Sequence, residues 1–248
     1  VVKPGSDAAV IRIKKDSLPD LPEDAPNRHA EVQETFLAMS EDVNVTYVYL
    51  DPYEGGKSAV VEAARNLACS GAVPLGTTDN LNFGNPHHPE LFWQLKEAVR
   101  GLADACTHFE APVTGGNVSL YNQNPRGAID PTPTVAMVGL IEKPEHITTQ
   151  WFKDAEDVII LLGEAVDAQD ACQGLGGSAY LKLKHGLKTG LPPRCHLDRE
   201  KSLHGALRGW IAQGIVKSAH DCSEGGLAVA LAECCISGEK ARHDPHLI

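Results

Sequence analysis

The chain has 248 residues, 42% of them hydrophobic and 22% charged, which is an ordinary globular composition and enough for one large domain or two small ones. Its formal net charge of −11 argues against a nucleic-acid backbone as a partner, although an acidic protein can still bind phosphate through backbone N–H groups and metal ions. No stretch approaches the roughly 20 apolar residues of a membrane span and no signal segment opens the chain, so we expect a cytoplasmic protein without a membrane partner.

The first 145 residues alternate between strand and helix patterns. The patterns predict strands over 7–14, 43–50, 72–78, 111–120 and 134–141, and helices over 56–70 and from 89 onward. In the first strand, Ala9, Ile11 and Ile13 are expected to share one face. The first helix should end at Gly71, and the second should open at Pro89.

A polar stretch over 142–154 interrupts this pattern, after which it restarts. The patterns then predict strands over 157–162 and 215–219, helices over 198–213 and 226–236, and a glycine-rich turn over 174–177. The sequence therefore predicts an α/β (α+β) protein with one domain over 1–145 and a second, truncated domain over 146–248.

The seven cysteines include no CxxC pair. They are Cys69, Cys106, Cys172, Cys195, Cys222, Cys234 and Cys235. Most lie in apolar or helical patterns, which is typical of reduced and mostly buried thiols.

Glu62 and Asn66 lie four residues apart on the first predicted helix and therefore share one helix face. A carboxylate and an amide oxygen together suit Mg²⁺, a hard cation that prefers oxygen ligands and phosphate co-ligands. A solvent-facing polar stripe would give the same spacing, and spacing alone favours that plainer interpretation.

Two polar segments lie at predicted strand ends. The segment 77–86 gathers Asp79 and three asparagines, which could bind a ligand or only form local side-chain turns. In the segment 115–119, two glycines would let the backbone approach a phosphate, Asn117 could bind a cation and Ser119 could bind an anion. The alternative for the second segment is a bulged strand.

The segment 220–226 joins a predicted strand to a predicted helix and reads HDCSEGG. Asp221 and Ser223 would face one side of this turn, and the helix start would favour phosphate. Ser223 could instead cap the helix, with Glu224 in its first turn. We assign no chemistry to His220, because a histidine beside an aspartate is usually a hydrogen-bonded structural residue. For the turn at 174–177, a plain turn is the favoured interpretation over a phosphate loop.

Four long segments carry a specific resemblance. They read DPYEGGKSAVVEAARNLACSGAVPLGTTDNLNFGNP, PVTGGNVSLYN, PTPTVAMVGLIE and SAHDCSEGGLAVALAE. Together they resemble the synthetase subunit of the phosphoribosylformylglycinamidine synthase family in its small bacterial form, and the opening GSDAAVIRIK is similar to the start of the second half of that subunit.

The resemblance implies the aminoimidazole-ribonucleotide-synthetase-like fold, with an N-terminal-type domain followed by a truncated C-terminal-type domain. It implies a ligase of purine biosynthesis that uses ATP and glutamine-derived ammonia to convert formylglycinamide ribonucleotide to formylglycinamidine ribonucleotide, ADP and phosphate. The partners it implies are a glutaminase subunit and a small accessory subunit. Pairing of the domain sheet with another domain also implies possible self-association.

The resemblance also implies residue roles. Asp79 and Gly116 resemble ATP contacts, Asn117 a Mg²⁺ ligand and Ser119 a substrate contact. In the long form of the family the matching positions of the second half hold a structural nucleotide. There the metal ligands correspond to Asp7, Glu62, Asn66 and Asp221, and the nucleotide contact corresponds to Ser223.

The chain begins with Val1 rather than Met, which predicts a piece of a longer protein. The family's first half, with its catalytic histidine, has no match here, so we expect the chain to be inactive alone. The alternative is a non-catalytic half of the same enzyme that serves assembly and holds ATP or ADP as a structural nucleotide.

Overall fold

A mixed five-stranded sheet organises the first part of the chain. The computed structural model describes residues 6–14, 34–163, 167, 169–170 and 173–238. The strands, in chain order, are β1 (Ala9–Ile13), β2 (Thr35–Asp42), β3 (Val73–Asn82), β4 (Val113–Ser119) and, after a hairpin of β5 (Gln123–Asn124) and β6 (Gly127–Ala128), β7 (Thr132–Ile141). The order across the sheet is β1-β2-β7-β3-β4, and only the β3–β4 pair is parallel among these neighbours.

One face of the sheet forms the core. Alternate residues of β7, among them Val135, Met137 and Ile141, are buried against two helices, α2 (Pro52–Cys69) and α3 (Pro89–His108). The other face carries the intervening residues and is only half-buried along β7. A sheet with one covered face and one open face has this alternation.

Helix α3 begins at Pro89 and α2 ends just before Gly71, as the sequence predicts, but α2 begins at Pro52 rather than at position 56. Asp51 caps α2 by accepting a hydrogen bond from the Glu54 backbone N–H, and Gly71 follows the helix with a φ of 87°. The two helices pack with their backbones in close approach at Gly101, where a side chain would meet the carbonyl oxygen of Tyr53. Glycine at this position therefore sets the helix separation.

The second part of the chain is mainly helical. Its helices are α4 (Ala179–His185), α5 (Leu197–Ala212) and α6 (Gly226–Ile236). Leu207 and Ile211 of α5 pack with Cys69 of α2 in a small second cluster, which joins the two parts of the chain. The glycine-rich turn predicted at 174–177 is present and leads into α4, whose first turn is capped by Ser178.

Two elements of the first part differ from the prediction. The segment predicted as a strand over 43–50 contains a helix, α1 (Val45–Leu50), because Asn44 caps it by accepting from the Tyr47 backbone N–H. Strand β2 lies in a stretch that was not predicted as a strand. In β1, Ala9 and Ile11 share the exposed face and Val10 lies on the buried one, so the predicted alternation is confirmed.

The strands predicted over 157–162 and 215–219 are also wrong, because neither segment pairs with another strand among the described residues. Their apolar side chains, such as Ile160 and Ile215, are exposed instead. The predicted loop over 17–27 and the polar end over 240–248 lie outside the described residues. No helix in the described part of the chain could cross a membrane.

The cysteines within the described ranges are all free thiols. Cys69, Cys106 and Cys234 are buried and Cys195 is partly buried, as predicted. Cys222 and Cys235 are exposed, and Cys172 lies outside the described residues.

Candidate functional site

The parallel pair of β3 and β4 brings two of the predicted segments together. Asp79 lies opposite Gly116, and Asn80 lies opposite Asn117. Because side chains alternate along a strand, Asp79 and Gly116 share the helix-covered face, whereas Asn117 and Ser119 share the open face. The structure therefore places the predicted ATP pair side by side, and places the predicted cation and substrate residues on the opposite face of the same strand.

Gly116 leaves space for the Asp79 carboxylate, which lies where a side chain at position 116 would be. A Cβ atom at Gly116 would overlap Asp79 Oδ1 and would lie 2.8 Å from the Asp79 backbone oxygen. At Gly115, by contrast, a Cβ would meet nothing within 4 Å. Partial burial raises the pKa of Asp79 above its usual value. The pair thus forms a tight arrangement in which the carboxylate lies directly against the β4 backbone.

Three asparagines form a polar row on the open face. Asn80 Oδ1 accepts from Asn82 Nδ2 at 3.1 Å and from Asn117 Nδ2 at 3.4 Å. The Asn117 amide donates through its nitrogen, which leaves its oxygen available as a ligand for a hard cation. Asn80 and Asn82 were noted only as part of a polar segment, yet Asn80 is the residue that orients Asn117.

Ser119 is fixed at the end of β4 by Asn122. The Asn122 amide nitrogen lies 3.1 Å from the Ser119 hydroxyl and donates to the Ser119 and Phe83 carbonyl oxygens at 2.8 and 3.1 Å. Between them, Tyr121 has a φ of 63°, a left-handed conformation that is rare for a non-glycine residue. Its hydroxyl lies 3.3 Å from His87 Nε2. Sequence reasoning missed this turn, because its geometry depends on the parallel strand pair.

A second group of predicted residues meets where α2 faces the 220–226 segment. We call it the acidic cluster and define it as Asp42, Glu62, Asn66, Asp221 and Glu224. Asn66 Nδ2 donates to both carboxylate oxygens of Asp42 at 3.2 and 3.1 Å. Glu62 lies one turn before Asn66 and interacts electrostatically with the three other carboxylates of the cluster. Asp42 and Glu224 were not predicted.

Like charges dominate the acidic cluster. Burial, reinforced by the charges of Asp221 and Asp42, raises the pKa of Glu62 to about 8. Burial also raises the pKa of Asp42 to about 6, against the hydrogen bond from Asn66. Carboxylates that resist ionisation for these reasons would be relieved by a cation.

Arg65 offsets part of this charge and ties the two parts of the chain together. Its guanidinium contacts Asp221 Oδ1 at 3.1 Å and Glu200 Oε2 at 3.3 Å. Although burial opposes its charge, these carboxylates hold the pKa of Arg65 above its ordinary value. The second oxygen of Asp221, Oδ2, is buried and has no hydrogen-bond partner in the described structure.

The acidic cluster fits a magnesium ion that is only partly held by protein. In the described ranges, no three His, Cys, Asp or Glu side chains converge closely enough to hold a metal ion. Magnesium, however, usually takes one or two carboxylates, with waters and phosphate oxygens completing its shell. The unpartnered oxygen of Asp221 and the excess of negative charge match that requirement.

Asp7 lies next to the acidic cluster and is hydrogen-bonded to His220. His220 Nδ1 donates to Asp7 Oδ1 at 2.7 Å, and its Nε2 donates to Glu233 Oε2 at 2.9 Å. The hydrogen bond to Asp7 is the main reason why the pKa of His220 is raised to about 9. Asp7 Oδ1 also accepts from the Asp221 backbone N–H at 3.4 Å. His220 is therefore hydrogen-bonded on both ring nitrogens, as expected of a residue beside an aspartate.

Ser223 does not cap the following helix. The residue before α6 is Gly225, in a left-handed conformation, and no side chain caps the helix there. Ser223 is exposed, and its carbonyl oxygen accepts from the Gly226 backbone N–H at 3.0 Å. The alternative in which Ser223 caps α6 is therefore wrong. Glu224 accepts instead from Asn44 Nδ2 at 3.0 Å.

Known proteins resemble the chain along nearly all of its length. It is 51% identical over 241 residues to the phosphoribosylformylglycinamidine synthase subunit PurL of Synechococcus sp. (strain JA-3-3Ab), which covers 96% of this chain and 30% of that protein. The subunit PurL of Gloeobacter violaceus is 50% identical over 244 residues, with the same coverage. The chain thus spans about 30% of the length of these curated relatives.

Solved structures agree on the fold. Phosphoribosylformylglycinamidine synthase II from Thermotoga maritima aligns with a TM-score of 0.57 at 23% identity, covering 93% of this chain and 30% of that chain. T. maritima PurL complexed with ATP gives 0.54 at 23% identity, covering 85% and 27%.

Two family models match consecutive parts of the chain. The N-terminal domain of AIR synthase related proteins matches residues 5–141, and the C-terminal domain matches residues 154–246. The first match alone covers more than half of the 248 residues. The predicted aminoimidazole-ribonucleotide-synthetase-like fold is confirmed by these matches and by the solved structures. The chain belongs to the AIR synthase related protein family.

Proposed function

We propose that this chain is part of an ATP-dependent synthetase that converts formylglycinamide ribonucleotide to formylglycinamidine ribonucleotide. The observation that carries the proposal is identity near 50% over 96% of the chain with relatives named phosphoribosylformylglycinamidine synthase subunit PurL. Related T. maritima structures are described as complexes of PurL with ATP and with FGAR, and both support the substrates.

In the proposed reaction, ATP phosphorylates the substrate amide oxygen and ammonia then displaces phosphate. Asp79 and Gly116, which lie opposite each other across the β3–β4 pair, contact ATP, and backbone N–H groups of the edge strand β4 would serve a phosphate. Asn117 offers its amide oxygen to Mg²⁺, and Ser119 contacts the substrate. Mg²⁺, when bound, neutralises charge on the transferring phosphoryl group.

The open face of the sheet supports a composite site. It presents Asn80 on β3, and Asn117 and Ser119 on the edge strand β4, which is exposed along nearly all of its length. We therefore propose that the chain is inactive alone and needs the remainder of the synthetase, with ammonia supplied by a glutaminase subunit and assembly aided by a small accessory subunit. We further propose domains over 1–145 and 146–248, self-association through the open sheet face and a cytoplasmic location.

A structural nucleotide site is the second candidate function. The acidic cluster lies between α2 and the start of α6, and its Asp42 is separated from Asp79 by one strand, at Val135 of β7. The unpartnered Asp221 oxygen favours a permanently held cation. Here Mg²⁺ would be held by Asn66 with one or two of the carboxylates of Asp7, Glu62 and Asp221, and Ser223 would contact ADP. A structural ADP would copurify with the chain and resist dialysis, whereas a substrate nucleotide would exchange.

A chimera tests the catalytic proposal. The matching segment of Synechococcus PurL is replaced by this chain, and product formation is followed with ATP, ammonium and formylglycinamide ribonucleotide. We expect ATP-dependent product, and at least a tenfold lower kcat/KM in the Asp79→Ala chimera with an unchanged melting temperature. A folded chimera without activity, or one indifferent to Asp79→Ala, would contradict the proposal.

A further inference from the structure

Asp42 ends strand β2 and contacts Asn66 with both of its carboxylate oxygens. An ionised carboxylate can only accept hydrogen bonds, so the group that faces it must be the amide nitrogen of Asn66. The contact therefore settles the orientation of the Asn66 amide, which spacing along α2 leaves undetermined. Nothing in the family resemblance assigned a role to Asp42.

The orientation of the amide has a chemical consequence. With its nitrogen on Asp42, Asn66 turns its carboxamide oxygen away from that carboxylate, and no hydrogen-bond donor reaches this oxygen in the described part of the chain. Glu62 lies one helical turn earlier on the same face. An amide oxygen and a carboxylate are thus presented side by side, as a hard cation requires.

Asp221 supplies an independent indication of a cation. Its side chain is only 2% exposed, and Oδ1 is paired with Arg65. Its other oxygen, Oδ2, is buried and unpartnered among the described residues. A buried carboxylate oxygen without a partner is unfavourable, so its presence points to a positively charged ligand in the acidic cluster.

The loop that carries Asp42 is itself held firmly. Asn44, two residues on, accepts from the Tyr47 backbone N–H and so caps α1, while its amide nitrogen donates to Glu224 at 3.0 Å. The β2–α1 connection therefore links the end of the sheet to the 220–226 segment. This fixed connection places the Asp42 carboxylate against Asn66.

We propose that Asp42 is a positioning residue of the acidic cluster, which holds the Asn66 amide so that its oxygen faces a divalent cation beside Glu62 and Asp221. The inference rests on the second candidate function, in which this cluster holds the Mg²⁺ of a bound nucleotide. Asp42 acts through Asn66, and the cation is bound by Asn66, Glu62 and Asp221.

The test is Mn²⁺ binding to the full 248-residue chain, measured by the electron paramagnetic resonance of free Mn²⁺. We expect Asp42→Ala to weaken binding at least about tenfold, the usual effect of losing a residue that orients a ligand. Asp42→Asn keeps an acceptor for the Asn66 amide and should weaken it less than about threefold. In an Asn66→Ala background, Asp42→Ala should have no further effect, because the residue through which it acts is gone. Glu41→Gln, which removes the neighbouring exposed charge, is the control and should leave binding unchanged.

Several outcomes would overturn the proposal. Additive losses from Asp42→Ala and Asn66→Ala, or equal losses from Asp42→Asn and Asp42→Ala, would mean that Asp42 acts through its own charge. Should Asp42→Ala fail to fold, Asp42→Asn is compared with Glu41→Gln instead. A large loss of Mn²⁺ binding in Asp42→Asn would mean that Asp42 acts through its own charge. No Mn²⁺ binding to the folded wild-type chain would overturn the cation itself and leave the catalytic proposal at Asp79 intact.

A metal-free readout accompanies the titration. The side-chain N–H₂ signals of Asn66 in ¹⁵N NMR spectra should shift and exchange faster with water in Asp42→Ala, and should be nearly unchanged in Asp42→Asn. Asn66 N–H₂ signals that are unchanged in Asp42→Ala would contradict the Asp42–Asn66 hydrogen bonds on which the proposal depends.

Discussion

Replacement of Gly116 by alanine tests the tight packing at the candidate ATP site. The added Cβ would overlap Asp79 Oδ1 and lie 2.8 Å from the Asp79 backbone oxygen. The carboxylate can rotate away, but the backbone oxygen is held in the paired strands β3 and β4. Overpacking of this kind costs about 1–3 kcal/mol in folding free energy.

The matched control is Gly115→Ala on the same strand. Its Cβ would meet nothing within 4 Å, so we expect a change within about 0.5 kcal/mol. Urea unfolding followed by circular dichroism gives both free energies. The double variant Asp79→Ala/Gly116→Ala removes the side-chain overlap and leaves the backbone contact, so it should recover part of the loss. Equal stability of the two single variants would refute the close approach of Asp79 to β4.

Three further predictions concern packing and charge. Gly101→Ala should destabilise the fold by about 1–3 kcal/mol, because its Cβ would lie 2.9 Å from a backbone nitrogen of α2. Gly205→Ala, in open space on α5, should instead stabilise the fold by about 0.5–1 kcal/mol, and thermal unfolding of both variants compares them. Arg65→Met should lower the free energy of unfolding by about 3 kcal/mol, because it leaves buried carboxylates without their charged partner, whereas Arg100→Met at an exposed site should lower it by less than about 1 kcal/mol. Equal losses at the two positions would contradict the linking role of Arg65. Burial opposes ionisation of Glu200, but hydrogen bonds from a histidine and Arg65 lower its pKa from 4.5 to about 2. The stability that this carboxylate contributes above pH 4.5 should therefore be lost as the pH falls towards 2. Glu200→Gln should flatten that part of the pH dependence of the free energy of urea unfolding.

Local signals in the sequence were enough to predict the long helices and most of the central sheet. Pro89 and Gly71 mark helix ends through fixed backbone preferences, and the alternation along β7 follows from one covered face. The error at 43–50 shows the limit of propensity, because β-branched residues there are helical once Asn44 and Asp51 provide caps.

The strands predicted over 157–162 and 215–219 show a second limit. An apolar run indicates burial, but a strand forms only where a neighbouring strand accepts its hydrogen bonds. In the described structure both runs lack such a neighbour, and residues such as Val158 remain exposed. Pattern alone does not reveal whether a partner is present.

The parts of the candidate site that depend on neighbouring residues in the sequence could be predicted, and the contacts between residues far apart in the sequence could not. The spacing of Glu62 and Asn66 placed both on one helix face, and the double glycine at Gly116 indicated close backbone approach. Asp42 reaches Asn66 across 24 positions and Glu224 reaches Asn44 across 180, so no sequence window contains either pair. Only the register of the sheet and the packing of α2 bring them together.

The most direct test of the central claim is calorimetric titration of the dialysed chain with ATP and Mg²⁺, beside Asp79→Ala and Asn117→Ala. The claim is that this chain itself carries a working part of a magnesium-dependent nucleotide site. We predict binding that requires Mg²⁺ and is weakened at least about tenfold, or 1.4 kcal/mol, by either substitution. No binding to the folded chain, or binding that both substitutions leave unchanged, would contradict it.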